Sequence, residues 1–299
     1  MDKGIYTALS GGIAKAHELE LVANNLANAG TVGFKRDEGT FSEYLTELRH
    51  PDSVEGLKRQ ITAETMLDGR PQGDKSFVEM DGVYTNFQQG HLERTNRSLD
   101  MALEGKGFFE VLTPNGVRYT RQGNFSIDTE GKLVTVNGYP VLSAAGEVPI
   151  EQREDKLTAD GKLVSSTTRK NPNAEFKARP GADRIINVGQ AEGSIQINEN
   201  GDVLRNGRRI ATLSVQEFQE QQWLEKVGSS YYRNDRPENL SETSLSKVHQ
   251  GFLEGSNVNP VQEMTRLIEV SRAYESHMQA IKTYQEIDGR SVNDLAGGR

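Results

Sequence analysis

The sequence predicts an α+β chain, with a long coiled-coil-type helix at each end and an all-β, hairpin-rich body between them. Three observations carry this. Near both termini, apolar and small residues recur at alternating intervals of four and three, the spacing of a heptad seam. Between the ends the period falls to two, and turn residues punctuate it. The composition agrees, since 30 glycines, 34% hydrophobic residues and 7% aromatics suit turns and exposed surface better than one thick core.

The N-terminal helix is expected over about residues 3–28. Ile5, Leu9, Gly12, Ala16, Leu19, Ala23 and Leu26 keep one face, Tyr6 and Ile13 widen it, and Lys3, Lys15, Glu18 and Glu20 fall outside it. Asn28 and Gly30 supply a stop. Residues 36–76 read as a variable connecting segment of polar loop, with a short helix near Phe41–Leu48. A hairpin follows, residues 108–112 and 117–121 joined by Pro114, Asn115 and Gly116. A second runs from residues 125–127 through Asp128, Thr129, Glu130 and Gly131 to a strand ending at Val136, then through Asn137 and Gly138 to residues 139–142.

Residues 151–184 are polar and charged, with Phe176 as their only aromatic, and read as an insertion in the body. After it the hairpin pattern resumes at residues 195–197, 203–205 and 210–215. Ile127, Gly131 and Leu133 share their offsets with Ile197, Gly201 and Val203, an internal echo of one hairpin design. The body therefore comprises residues 77–150 and 185–254. The C-terminal helix opens with Asn259 as cap, Pro260 at its first position and Gln262 where a capping box takes Glu or Gln. Met264, Leu267, Ser271, Tyr274, Met278, Ile281, Gln285 and Asp288 form its seam, and Gly289 marks its expected end. Residues 1–35 and 255–299 thus make a terminal helical domain. Their stripes find no obvious helical partner within the chain, which points to an assembly device.

Whole classes of function are disfavoured. The 35 basic and 43 acidic side chains leave a net charge of -8, the wrong sign for a phosphate-holding surface, so nucleic acid is not an expected partner. Absence of cysteine removes disulfides, thiolate nucleophiles and Cys-ligated metals. No apolar run matches a membrane span or a Sec-type signal peptide, so neither membrane insertion nor a cleaved leader is expected. The five histidines lack metal-ligand spacing. Gly105, Lys106 and Gly107 precede a strand rather than an anion-binding helix. Asp100, Asp128 and Glu130 fit no calcium loop, Asp128 being a turn residue, and the sequons at Asn96, Asn124 and Asn239 are short enough to arise by chance. With no GxSxG or HExxH motif either, the reading is of a non-enzyme with no catalytic, cofactor-binding or metal-ligating residues.

Residues 23–35 read ANNLANAGTVGFK, directly after the heptad helix. LEGKGFFEV at 103–111, YTRQGNFSIDTEGKLVTVNGYPVL at 119–142 and EGSNVNPVQEMTRLIEVSRAYE at 254–275 accompany it. Together they resemble the axial flagellar family of rod, hook and hook-associated subunits. The opening MDKGIYTALSGG is most similar to the proximal rod members, although Gly12 stands where many relatives carry Met. The resemblance implies a structural subunit of the basal-body rod. Such subunits pass through the flagellar type III export apparatus without a cleaved signal. Their terminal helices order on assembly and polymerise into a drive shaft around the export channel, in the periplasm, transmitting torque. Implied partners are copies of the chain, other rod proteins, the export apparatus and ring proteins around the rod; no cofactor is implied.

Carried onto this sequence, the assembly interface comprises Ile5, Leu9, Ala16, Leu19, Ala23 and Leu26 with Met264, Leu267, Tyr274, Met278 and Ile281. The family motif falls on Asn24, Asn25, Leu26, Asn28, Thr31, Gly33, Phe34 and Lys35, with the asparagines ending the helix and Gly33 allowing a turn; Asn259 and Pro260 cap the second helix. The β body, with Phe108, Phe109 and Tyr119, would face neighbouring rod components. The rival readings are a distal rod or hook subunit of the same family, a cell-envelope enzyme built on two facing carboxylates, and an adaptor for an unrelated helix.

Overall fold

The structure, a computed structural model, describes residues 2–46, 75–144, 181–189, 194–228, 230–241 and 244–296. It is α+β, with a helix at each end and a β-rich body, and divides into two compact units. The first holds α1 (Asp2–Ala27) as far as Leu26, β1 (Asp37–Thr46), β2 (Lys75–Thr85) as far as Tyr84, and α2 (Pro260–Ala296). The body holds residues 27–36 and 85–259. Residues 27–35 and 255–259, expected with the helices, therefore belong to the body, while 37–46 and 75–84 go with the helices.

Two expectations fail in the helical unit. The helix expected near Phe41–Leu48 is strand as far as Thr46, and Glu47 and Leu48 lie outside the described residues. Thr40, Phe41, Tyr44 and Thr46 favour extended backbone, and β2 supplies a paired partner that an isolated polar helix would lack. Thr40 Oγ1 donates to Gly82 O at 3.2 Å and Tyr84 OH to Glu38 Oε2 at 2.5 Å across that ribbon. The second failure is at Gly289, which does not end α2; the helix starts at Pro260 as expected but runs on to Ala296. One interior glycine costs a helix only about 1 kcal/mol, and nothing here turns Gly289 to positive φ. Glu18, outside the apolar seam, is nevertheless only 8% exposed in the structure.

The body is antiparallel throughout its paired strands. Its largest sheet has the order β12-β5-β6-β14-β13, made of β5 (Phe108–Thr113), β6 (Gly116–Thr120), β12 (Val215–Gln216), β13 (Leu224–Val227) and β14 (Tyr231–Asn234). The expected first hairpin is β5 and β6, in register from Phe109 opposite Thr120 to Thr113 opposite Gly116. Phe108 and Phe109 are both fully buried because successive strand residues point to opposite faces. Phe109 joins Met101, Leu103, Val111 and Phe125 in one core, and Phe108 joins Tyr119, Phe218 and Tyr232 in another. Burying each ring contributes roughly 2–3 kcal/mol.

The echo between hairpins is structural. In β7 (Ser126–Ile127) with β8 (Leu133–Val134), and in β9 (Ile195–Ile197) with β10 (Asp202–Arg205), the turn closes through the same bonds. Asp128 N donates to Lys132 O at 3.0 Å and Asn198 N to Asp202 O at 3.1 Å. Gly131 and Gly201 take φ of +81° and +83° at equivalent places. The same sheet as β9 and β10 is completed by β11 (Arg208–Thr212).

Most of the polar insertion lies outside the described residues, but its last residue is corrected. Arg184 is buried and grips Glu110 bidentately, Nη2 to Oε1 at 2.6 Å and Nη1 to Oε2 at 2.8 Å, while Ser214 Oγ donates to the same carboxylate at 2.6 Å. Arg184 O also accepts from Ser143 N at 2.7 Å, which joins the described segments 75–144 and 181–189 within the body. Tyr119, sharing this buried surrounding, has its phenol pushed up to about 12, by burial first and the Glu110 charge second.

Candidate assembly site

The two long helices meet where α1 carries Gly4, Gly11 and Glu18. A methyl on Gly4 would lie 2.9 Å from Tyr284 Cζ, and one on Gly11 2.7 Å from His277 Cε1, so glycine makes room for α2 at both places. Glu18 completes the series. Arg266 Nη2 and Nε donate to Glu18 Oε1 at 3.0 and 3.3 Å, and Lys15 Nζ donates to Oε2 at 2.8 Å. Pairing Gly4 with Tyr284, Gly11 with His277 and Glu18 with Arg266 makes the helices antiparallel. Ala14, Val22 and Asn25 on α1, and Glu263, Val270 and Ile281 on α2, are buried. Burial pushes the Glu18 carboxyl up, but the hydrogen bonds from Lys15 and Arg266 outweigh it and hold the carboxyl below the usual carboxylate range.

The expected interface residues lie largely elsewhere on these helices. Leu9 is exposed, and Ile5, Ala16, Leu19, Ala23 and Leu26 are half-buried. Tyr6, 58% exposed, and Ile13, 52% exposed, extend the α1 stripe. On α2, Met264 and Met278 are exposed, Leu267 and Tyr274 half-buried, and Ile281 alone of the expected set is buried. Val261, Met264 and Ile268 fall three and four apart, so they form one exposed apolar stripe. Each helix thus carries one face used inside the unit and an apolar face left open.

The family motif does something different. Asn25 does not end α1; its side chain exchanges hydrogen bonds with the backbone of Asp37, Nδ2 to O at 2.8 Å and N to Oδ1 at 2.9 Å, holding the first residue of β1. Asn28 does form the stop, accepting from Thr31 N at 3.0 Å and from Thr31 Oγ1 at 3.2 Å. Asn24 is exposed and Leu26 half-buried. Gly33 takes φ +69° with Arg121 backbone 2.6 Å from where a Cβ would stand, so only glycine fits. Phe34 is fully buried under the Lys226 ammonium, 3.9 Å above its ring, and Lys226 Nζ also donates to Lys35 O at 2.8 Å.

Lys35 enters a buried charge cluster inside the body. Its Nζ donates to Glu254 Oε1 at 2.6 Å and to Gln88 O at 2.7 Å. Arg121 Nη1 reaches Glu254 Oε2 at 3.2 Å and Nη2 reaches Gly105 O at 2.6 Å. Gly90 N donates to Glu254 Oε1 at 3.0 Å, and Gly33 N to Glu254 O at 2.8 Å. Burial pushes the Lys35 ammonium down, against the attraction of Glu254 and with the repulsion of Arg121. Asn257 adds a further tie, accepting from Arg36 N at 2.8 Å and donating to Asn86 O at 2.8 Å. Segments 33–36, 86–90 and 254–257 are so laced into one clasp. The sequence pattern singled out Lys35 but not Glu254 or Arg121; their signal was a charged residue inside each of the quoted segments 119–142 and 254–275.

Three family descriptions match this chain in order. "Flagella basal body rod protein" covers residues 5–35, "Flagellar hook protein FlgE/F/G D1 domain" covers 102–205, and "Flagellar basal body rod FlgEFG protein C-terminal" covers 249–295. The flagellar basal-body rod protein FlgF of Caulobacter vibrioides is 34% identical over 295 residues, 99% of this chain and 98% of that protein. The chain belongs to the flagellar basal-body rod protein family. The FlgF protein of Rhizobium meliloti is 29% identical over the whole of both chains, and the FlgG rod protein of Bacillus subtilis 28% identical over 98% of this chain and 99% of its own. This family is structural and non-enzymatic, and membership makes the chain a structural subunit of the flagellar basal-body rod, in contact with other rod components. Among the described residues, no cluster of three metal-ligating side chains occurs and no helix is long and apolar enough to cross a membrane.

Proposed function

We propose that this subunit builds the proximal part of the rod, polymerising through its terminal helices, with the β body turned towards neighbouring components. The observation that carries this is the open apolar stripe on each helix of the pair, Tyr6, Leu9 and Ile13 on α1 and Val261, Met264 and Ile268 on α2. A contact between the α1 stripe of one subunit and the α2 stripe of the next would be head-to-tail, the kind that propagates into a helical polymer rather than closing a dimer. Paired as a coiled coil in the assembled state, the helices would form the inner wall of the shaft around the export channel and pass torque along it. On this reading the chain reaches the periplasm through the type III export apparatus without a cleaved signal, and the rings around the rod meet the β body. The opening MDKGIYTALSGG supports the proximal position.

Electron microscopy of basal bodies from a strain lacking the chain tests it. Membrane rings without a completed rod are expected. A full rod lacking only its hook would move the subunit distally within the same family. Normal flagella would sink both.

A further inference from the structure

The helix pair carries a degeneracy in its packing. Gly4 faces Tyr284 and Gly11 faces His277, so the small residues of α1 and the large residues of α2 both repeat every seven positions. Sliding one helix by seven residues would set Gly11 against Val270 or against Tyr284, a small residue again facing a large one. Packing alone distinguishes these registers weakly. We propose that Glu18 and Arg266 are the positioning residues that fix one register, and thereby decide which apolar stripes the subunit offers to its neighbours; the second clause rests on the assembly reading above.

The next position in the glycine series after Gly11 is residue 18, and there the series carries a charge. Glu18 is 8% exposed, held by Arg266 across the pair and by Lys15 on its own helix. A slip of one heptad moves α2 about 10 Å along α1. In one direction Glu18 comes opposite Glu263, which is 2% exposed and shares a helix face with Val270 and His277, so two carboxylates would be buried together. In the other, Glu18 exchanges the forked guanidinium of Arg266 for the imidazole of His277, which cannot grip a carboxylate bidentately. One slip adds a second buried carboxylate beside Glu18 and the other carries Arg266 out of its reach, the situation in which a polar pair acts as a register device.

Because the native chain has no cysteine, its register can be read by engineered disulfides in the purified full-length protein as well as in assembled basal bodies. A Cβ on Gly12 would lie 3.7 Å from His277 Cβ, inside the range of a disulfide. The pair Gly12→Cys with His277→Cys reports the native register. Gly12→Cys with Val270→Cys, and Gly12→Cys with Tyr284→Cys, report the two slips. Disulfide is expected at the native pair alone in the otherwise unaltered chain. Adding Glu18→Arg should lower the native yield about tenfold and raise one of the slipped pairs, with loss of swimming. Adding Arg266→Glu to Glu18→Arg should restore the native yield and motility, the partly exposed Lys15 being able to turn away. Two results would overturn the proposal: an unchanged native yield in Glu18→Arg, or a loss at the native pair that appears at neither slipped pair and is not restored by Arg266→Glu. Normal flagella in the strain lacking the chain would instead remove the assembly reading and leave the disulfide pattern to judge the register by itself.

Discussion

The two units solve the burial of charge in different ways, and the contrast separates what holds the subunit together from what it offers to others. In the body, Lys35, Arg121 and Glu254 are fully buried, tied to backbone carbonyls and amides as well as to one another. In the helical unit, Glu18 is buried, but Arg266 and Lys15 keep 38% of their side chains in water. A cluster cut off from solvent is costly to break from one side, whereas a pair reached by water contributes less and serves better to set geometry. Within the body, the clasp ties segments 33–36, 86–90 and 254–257 to one another. The helical unit leaves an apolar stripe exposed on each of its helices.

Substitutions should separate the units in order of severity. Glu254→Ala leaves two buried cations facing each other and should cost the body about 3–5 kcal/mol. Trp223, the chain's single tryptophan, lies in the body, so its fluorescence during thermal unfolding reads that loss without interference from the helices. An unshifted transition would mean that the cluster does not stabilise the body. Gly33→Ala forces a side chain into left-handed backbone and against the Arg121 main chain, with an expected cost of about 2–3 kcal/mol in the same assay. Tolerance of alanine there would break the argument that this glycine is required by close approach.

Weaker effects test the other half of the comparison. Leu267→Asp, on the half-buried part of α2, should stop rod assembly seen by electron microscopy while leaving the Trp223 transition unchanged. A shifted transition would show that the helices hold up the body. The smallest effect is a pH dependence of the helix pair. The Glu18 carboxyl is held below its usual value of 4.5 in the folded chain, so its contribution is complete above that pH and is lost as pH falls through the lower folded value. Helix content followed by circular dichroism should fall with acid in that range, and Glu18→Gln should flatten this part of the profile. An identical profile in the two proteins would remove Glu18 as its source.

Local pattern was enough for much of the fold. The start of α2 at Pro260, the β5–β6 hairpin and the repeated turns at Gly131 and Gly201 all followed from residues within a few positions of each other. The motif at 23–35 pointed to a family whose membership the full-length similarity to rod proteins bears out. Local pattern misled where a partner far along the chain decided the outcome. The polar stretch after Lys35 reads as loop and helix until β2 is placed beside it. Gly289 reads as a stop although the helix continues through it.

What the sequence determined by itself is therefore the periodicity: two long helices, alternating strands, turns where glycine and asparagine demand them, and an acidic chain without cysteine. Periodicity says that a helix has faces, but not which face meets which partner. Tertiary structure decided that the helices join through Gly4, Gly11 and Glu18 and leave the apolar stripes open. It also decided that Lys35 finds Glu254, 219 residues away, because burying each charge requires the other, and no local spacing encodes so distant a pairing.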